Sequence, residues 1–131
     1  MINLRLAKQE DLYILAEIYK DLYGKSTLNE DWSNEECYAL FNFYYKLQKD
    51  LFIVAEVDGK VIAAIMSIIK PWNGGNRLIE TEVFVDSNYQ HQGIASKLFH
   101  KHFEMAMEKY NAKIIEAHTY QEQNWISTKL V

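Results

Sequence analysis

Two β-rich runs, residues 51–57 and 60–69, are joined only by Asp58-Gly59, and that junction constrains the chain more than any other stretch. A two-residue link between strands favours a type I′ turn, which needs positive φ at both positions, and Asp-Gly accepts it readily. The runs therefore read as an antiparallel hairpin. Farther on, residues 77–85 read as a strand, 93–109 as a helix and 113–119 as another strand. A strand–helix–strand unit of that length makes a parallel crossover. A hairpin followed by such a unit gives an α/β chain with a mixed sheet and helices on its faces.

The first third supplies the helices for one face. Residues 2–6 alternate apolar and polar as a strand does, and Leu12, Leu15, Ala16, Tyr19 and Leu22 recur at helical spacing, predicting a helix over 10–23 that Gly24 ends. Ser33 followed by Glu36 fits a capping box. Cys37, Leu40, Phe41, Tyr44 and Leu47 then form one helical stripe, which makes Cys37 a buried structural thiol. The last segment, 124–131, reads as the opening turns of a helix. The order is β-α-α-β-β-β-α-β-α, in one domain spanning 1–131.

Composition narrows the function classes. The chain has 131 residues and 49% apolar content, enough to fill a core. A net charge of −4 leaves no extended basic footprint for nucleic acid. One cysteine excludes an intrachain disulfide. The apolar run around 61–69 is too short to cross a bilayer, and the N-terminus lacks a basic region leading into an apolar one. A cytoplasmic protein with no membrane contact is the expectation.

The chemistry concentrates between Val83 and Leu98. A strand ends at Val85, a polar turn follows, and a helix opens at Gly93. Amides from Gln90 to Ser96 are the unpaired donors of a helix start, backed by the positive end of its dipole, and such a place holds phosphate without basic side chains. Gly93, Ala95 and Ser96 are small enough to let an anion approach the backbone. The spacing fits neither GxGxxG nor a P-loop.

Gln90-His91-Gln92-Gly93-Ile94-Ala95 resembles the acetyl-CoA signature Gln/Arg-x-x-Gly-x-Gly/Ala of the GCN5-related N-acetyltransferase (GNAT) family. Leu4-Arg5-Leu6-Ala7 with Glu10-Asp11-Leu12 is similar to the family's opening, and Ala55 to Ile62 to its second and third strands. The resemblance implies a GNAT-type fold whose fourth and fifth strands splay around the pantetheine arm of acetyl-CoA. It implies that amides near Val83, Phe84 and Val85 pair with that arm, that those from Gln92 to Ser96 hold the pyrophosphate, and that Asn124 touches the cofactor. The implied activity moves acetyl directly to a primary amine of a small molecule, less readily of a protein. The alternative is a non-catalytic acyl-CoA-binding or dimerising module.

Direct transfer needs a base for the amine proton. Glu80, Glu82 and Phe84 share one face of the fourth strand by period two, with Ile79, Thr81, Val83 and Val85 opposite. A glutamate near there is the base in several family members, and Glu82 lies nearer the acetyl end; the family's fourth strand commonly carries a bulge there, which shifts the register by one residue. His118, ending the fifth strand, is a second candidate base. The family's tyrosine acid would fall at Val131, so Tyr120 is the substitute. The acceptor in such folds lies between the first two helices and the sheet, which nominates Asp31, Trp32, Glu35 and the Tyr38–Tyr45 aromatics. His102 falls on the apolar stripe of the third helix as a core histidine. No metal is expected. The family's sixth and seventh strands look absent, which would leave the fifth strand, Ile114 to His118, to be covered by a second copy of the chain or by residues beyond Val131.

Overall fold

Asp58 and Gly59 adopt φ of 51° and 79°, the two positive values that a type I′ turn requires. They join β2 (Ile53–Val57) to β3 (Lys60–Lys70). Around that hairpin the computed structural model, which describes residues 1–24, 31–121 and 124–130, builds a six-stranded mixed sheet in the order β1-β2-β3-β4-β5-β6. β1 is Ile2–Leu6, β4 Asn76–Val85, β5 Ala112–Gln121 and β6 Asn124–Leu130. Neighbours are antiparallel except β4 and β5, which α3 (Ile94–Tyr110) joins as a parallel crossover. The α/β class and mixed sheet expected from the pattern are present.

Alternation along β2 and β3 sorts the core onto the two faces of the sheet. Val54, Ala64 and Met66 point to α1 (Asp11–Gly24) and α2 (Asn34–Gln48), where they meet Leu12, Leu15 and Phe41. Ile53, Ala63 and Ile65 point to α3, against Ile94 and Leu98. Phe41 is fully buried, and burying one such side chain stabilises by roughly 1.5–3 kcal/mol. Ser33 caps α2: its hydroxyl accepts from the Glu36 amide at 3.1 Å, and the Glu36 carboxylate accepts from the Ser33 amide at 3.0 Å. At the start of α1, Asp11 accepts from the Lys8 amide at 2.7 Å and pairs with Arg5 at 2.8 Å. Burial alone would raise the Asp11 carboxyl, but the Arg5 guanidinium and the Lys8 amide outweigh it and hold it below its ordinary value.

Two expectations are overturned. The segment expected to be a helix, from Asn124 on, is β6, which runs antiparallel to β5 from Ile115↔Leu130 to Gln121↔Asn124. An unpaired strand edge captures an adjacent segment, and Trp125, Ile126 and Thr128 are good strand formers. The edge expected to await a second chain or residues beyond Val131 is therefore covered by this chain's own sixth strand.

The other correction lies inside β4. Between Ile79 and Glu82 this strand advances three residues while β3 advances two, and the β5 side slips in the same place. Glu80 is the extra residue, at φ 54°, a left-handed value costing an L-residue on the order of 1–2 kcal/mol. The bulge resets the faces. Leu78 packs on the α3 side together with Val83 and Val85, whereas Ile79, paired with Ile68, takes the α1–α2 side. Period two had placed Ile79 with Val83.

Candidate active site

β4 and β5 part company after Thr81↔Ala117. Beyond that pair β4 keeps β3 as its partner through Val85, and β5 continues with β6. The edge of β4 that faces β5 thus opens along Glu82 to Val85. Beside it lies a cavity of about 470 Å³, lined by Val83, Phe84 and Val85, by Tyr89 to His91, by Gly93 to Ala95, and by Leu22 and Tyr23 of α1.

The floor of that cavity is backbone. Asp86 accepts from the Asn88 amide at 2.9 Å, a short 3₁₀ turn follows at Ser87–Tyr89, and Gln90 Nε2 donates to the Val85 carbonyl at 3.0 Å. Gln90 therefore ties the turn shut with its side chain. His91 and Gly93 sit at φ 64° and 78°, and Gly93 caps α3 without a side-chain hydrogen bond. Lys97 donates to the Gly93 carbonyl at 3.2 Å, so the amides of Ile94, Ala95 and Ser96 precede the intrahelical ladder and keep their donors. A Cβ built on Gly93 would meet nothing within 4 Å. Open space, unpaired amides and the helix dipole coincide there. Gln92 and Ser96, both exposed, flank the place.

The opposite wall is made of side chains from several elements. Glu82 is half-buried on the α1–α2 side, where the Tyr19 hydroxyl donates to its Oε1 at 3.4 Å. Tyr19 stands edge-on to Trp32, Phe41 and Phe84 at 5.4, 5.3 and 5.3 Å, which brings Trp32 to the Glu82 neighbourhood. Asp31 and Glu35 are exposed and outside the described cavity lining. Glu80, the bulged residue, is exposed too, and its backbone carbonyl accepts from the Tyr44 hydroxyl. Burial and the nearby Glu82 and Glu80 carboxylates push the Tyr44 phenol above its ordinary pKa.

On the α3 face, Ser67 stands opposite the bulge and its Oγ lies 2.5 Å from His102 Nε2. His102 is fully buried, as its place on the helix stripe predicts, and burial lowers its pKa to about 4. Thr81 Oγ1 is buried without a hydrogen bond.

The sequence reading missed Tyr19 and Ser67 as parts of this wall, and had Tyr44 only among the Tyr38–Tyr45 aromatics. The available signal was a tyrosine on the buried stripe of a helix, since a buried phenol needs a partner. His118 and Tyr120 lie on β5 and Asn124 opens β6, but their side chains fall outside the described residues. Cys37 is fully buried, and burial raises its thiol pKa. Among the described residues, no group of three or more His, Cys, Asp or Glu could hold a metal, and no helix is long and apolar enough to cross a membrane.

Residues 12–130 match the acetyltransferase (GNAT) family. No curated protein matches the chain. Solved structures do. A possible acetyltransferase from Clostridium difficile 630 is 25% identical, with 93% of this chain and 82% of that one covered at a TM-score of 0.74. The ribosomal-protein-alanine N-acetyltransferase of Brucella melitensis is 23% identical, covering 88% and 73% at 0.67. YncA, a putative acetyltransferase from Salmonella typhimurium solved with its cofactor acetyl-CoA, is 16% identical, covering 90% and 69% at 0.67.

Proposed function

Because the chain belongs to the GNAT acetyltransferase family, we propose that it transfers acetyl from acetyl-CoA directly to a primary amine of a small molecule. The observation that carries this reading is the parting of β4 from β5 after Thr81↔Ala117 beside a cavity floored by free amides. The residues present fit the co-substrate. A Cβ on Gly93 would project into open space, and the Ile94, Ala95 and Ser96 amides beside it are donors that can hold a pyrophosphate. The open edge of Val83 to Val85 can pair with an extended arm as a strand would. Acetyl-CoA supplies the activated acyl carbonyl when bound, and an amide on that edge polarises it.

The side-chain wall handles the proton. Glu82 takes it from the incoming ammonium, since only the neutral amine is a nucleophile. The hydrogen bond from Tyr19 holds the carboxylate in place. Tyr23 and Trp32, both half-buried, pack against the buried Tyr19 ring, and an aromatic cluster beside a carboxylate suits a cationic amine.

A panel of small amines incubated with acetyl-CoA, read by release of free thiol, tests the reading. The expected result is turnover with at least one amine, lowered about 100-fold or more in Glu82→Gln while acetyl-CoA affinity stays put. Thermal stabilisation by acetyl-CoA with no thiol released from any amine would instead mark a binding module. Equal, small losses in Glu82→Gln and Glu80→Gln would remove Glu82 as the base.

A further inference from the structure

We propose that Tyr44 is a positioning residue, whose hydroxyl pins the Glu80 carbonyl and so keeps the β4 bulge that points Glu82 at the acceptor. The proposal rests on Glu82 being the base, and the geometry behind it is independent of that assignment.

A bulge in the middle of a strand decides which way everything beyond it faces. Side chains alternate with period two, so losing the extra residue would turn one arm of β4 over relative to the other. Leu78 is anchored on the α3 side and Phe84 in the α1–α2 core, so the strain of losing the bulge falls on the residues between them, and Glu82 would tip away from the α1–α2 side. The bulge is not a relaxed one. Glu80 holds φ 54° without being glycine, so something must favour that conformation over a regular strand.

The structure supplies a latch. Tyr44 comes from α2, 36 residues earlier in the chain, and is 3% exposed. Its ring belongs to the α1–α2 core and its hydroxyl donates to the carbonyl of the left-handed residue itself. Burial and the neighbouring Glu82 and Glu80 carboxylates disfavour ionisation of the phenol, so it stays a donor through any working pH. Thr81, on the opposite side of the strand, makes no side-chain hydrogen bond. The latch acts from the same side on which Glu82 meets Tyr19.

Tyr44→Phe deletes the donor and keeps the ring. Two measurements test the proposal. Hydrogen exchange at the Thr81 and Glu82 amides, which needs no acceptor, should speed up by about tenfold or more while the α3 amides keep their wild-type rates. With the best amine of the panel, kcat should fall about 10- to 100-fold at unchanged acetyl-CoA KM, the scale of a misaimed catalytic group. In a Glu82→Gln background the same change should cost almost nothing further, because there is no base left to aim. A merely structural tyrosine would lower both backgrounds by the same factor, and that result overturns the proposal. So does unchanged exchange at Thr81 and Glu82. Full activity in Glu82→Gln is a different failure, one of the base assignment, and with it the aiming role goes even if exchange shows the latch. Should Tyr44→Phe fail to fold, Tyr44→Phe/Glu80→Gly is compared with Glu80→Gly alone. Glycine takes the left-handed φ freely, so the bulge should hold without the latch and the two should share one kcat, and a loss of about tenfold in the double variant overturns the proposal.

Discussion

β4 is interrupted in its middle at Glu80 and followed at its end by the turn from Asp86 to Gly93, and both irregularities use positive φ in non-glycine residues, Glu80 at 54° and His91 at 64°. They differ in what presents the chemistry. The turn faces the cavity with amides, and its own side chains close it, as Asp86 does on Asn88 and Gln90 on Val85. The bulge is held and surrounded by side chains from other elements: Tyr44 of α2, Tyr19 of α1, Ser67 of β3 and His102 of α3. A site made of backbone is sensitive to φ and to anything that fills its space. A site made of converging side chains is sensitive to single atoms far away in sequence.

The largest expected effect attacks the backbone site by filling it. Gly93→Glu puts a carboxylate where the phosphates would lie, so it should abolish the thermal shift from acetyl-CoA. At about 100 times the dissociation constant that shift corresponds to roughly 2.7 kcal/mol in the wild type. Calorimetric or fluorimetric melting checks it. A Gly93→Glu protein that keeps the full shift would place the pyrophosphate elsewhere and dissolve the contrast between the two regions.

The next effect probes the side-chain region through His102. Its pKa is near 4 in the folded chain because burial disfavours the imidazolium, against 6.5 when unburied. Below 6.5 the unfolded chain therefore binds a proton that the folded one refuses. Its contribution to stability is complete above pH 6.5 and drains away as pH falls toward 4. By pH 5 the loss is about 2 kcal/mol, from 1.5 units of titration in the unfolded state alone. Urea unfolding at pH 7 and pH 5 measures it, and His102→Gln should flatten the dependence. Asp11, held low, contributes stability that is lost only as pH falls below its ordinary 3.8, outside the comparison of pH 7 with pH 5. A wild-type slope unaltered by His102→Gln would mean that the Ser67–His102 pair opens freely, and that the α3 side of the bulge is softer than its packing indicates.

The same contrast explains what could be read in advance. The turn before α3 was legible as structure because it is local: strand end, polar turn, glycine and helix start all fall within a dozen residues. So were the Asp58-Gly59 hairpin and the Ser33–Glu36 cap. The bulge depends on slips against both β3 and β5, which no stretch of β4 encodes alone, so period two misplaced Ile79 and only the family resemblance pointed to a bulge there. The segment from Asn124 read as a helix start, but the β5 edge decided it as a strand, a tertiary choice overriding a weak local one. Tyr44 lay plainly on its helical stripe, yet its partner is a carbonyl 36 residues away.

The smallest effect separates the two reasons for glycine at position 93. Its φ of 78° is left-handed and its Cβ position is open. Gly93→Ala meets no protein atom, so its cost to the free protein is the backbone preference alone, on the order of 1 kcal/mol. Gly93→Asn should cost less than alanine, because a short polar side chain tolerates that conformation better. For acetyl-CoA the order reverses, since asparagine reaches farther into the space before the Ile94–Ser96 amides. Melting of the free proteins should therefore rank glycine, asparagine, alanine, and acetyl-CoA affinity should rank glycine, alanine, asparagine. Two rankings that cross can arise only if φ governs folding while the empty volume serves the ligand. If both rankings run the same way, backbone strain accounts for everything at this position, and the space in front of Gly93 is not where the phosphates sit.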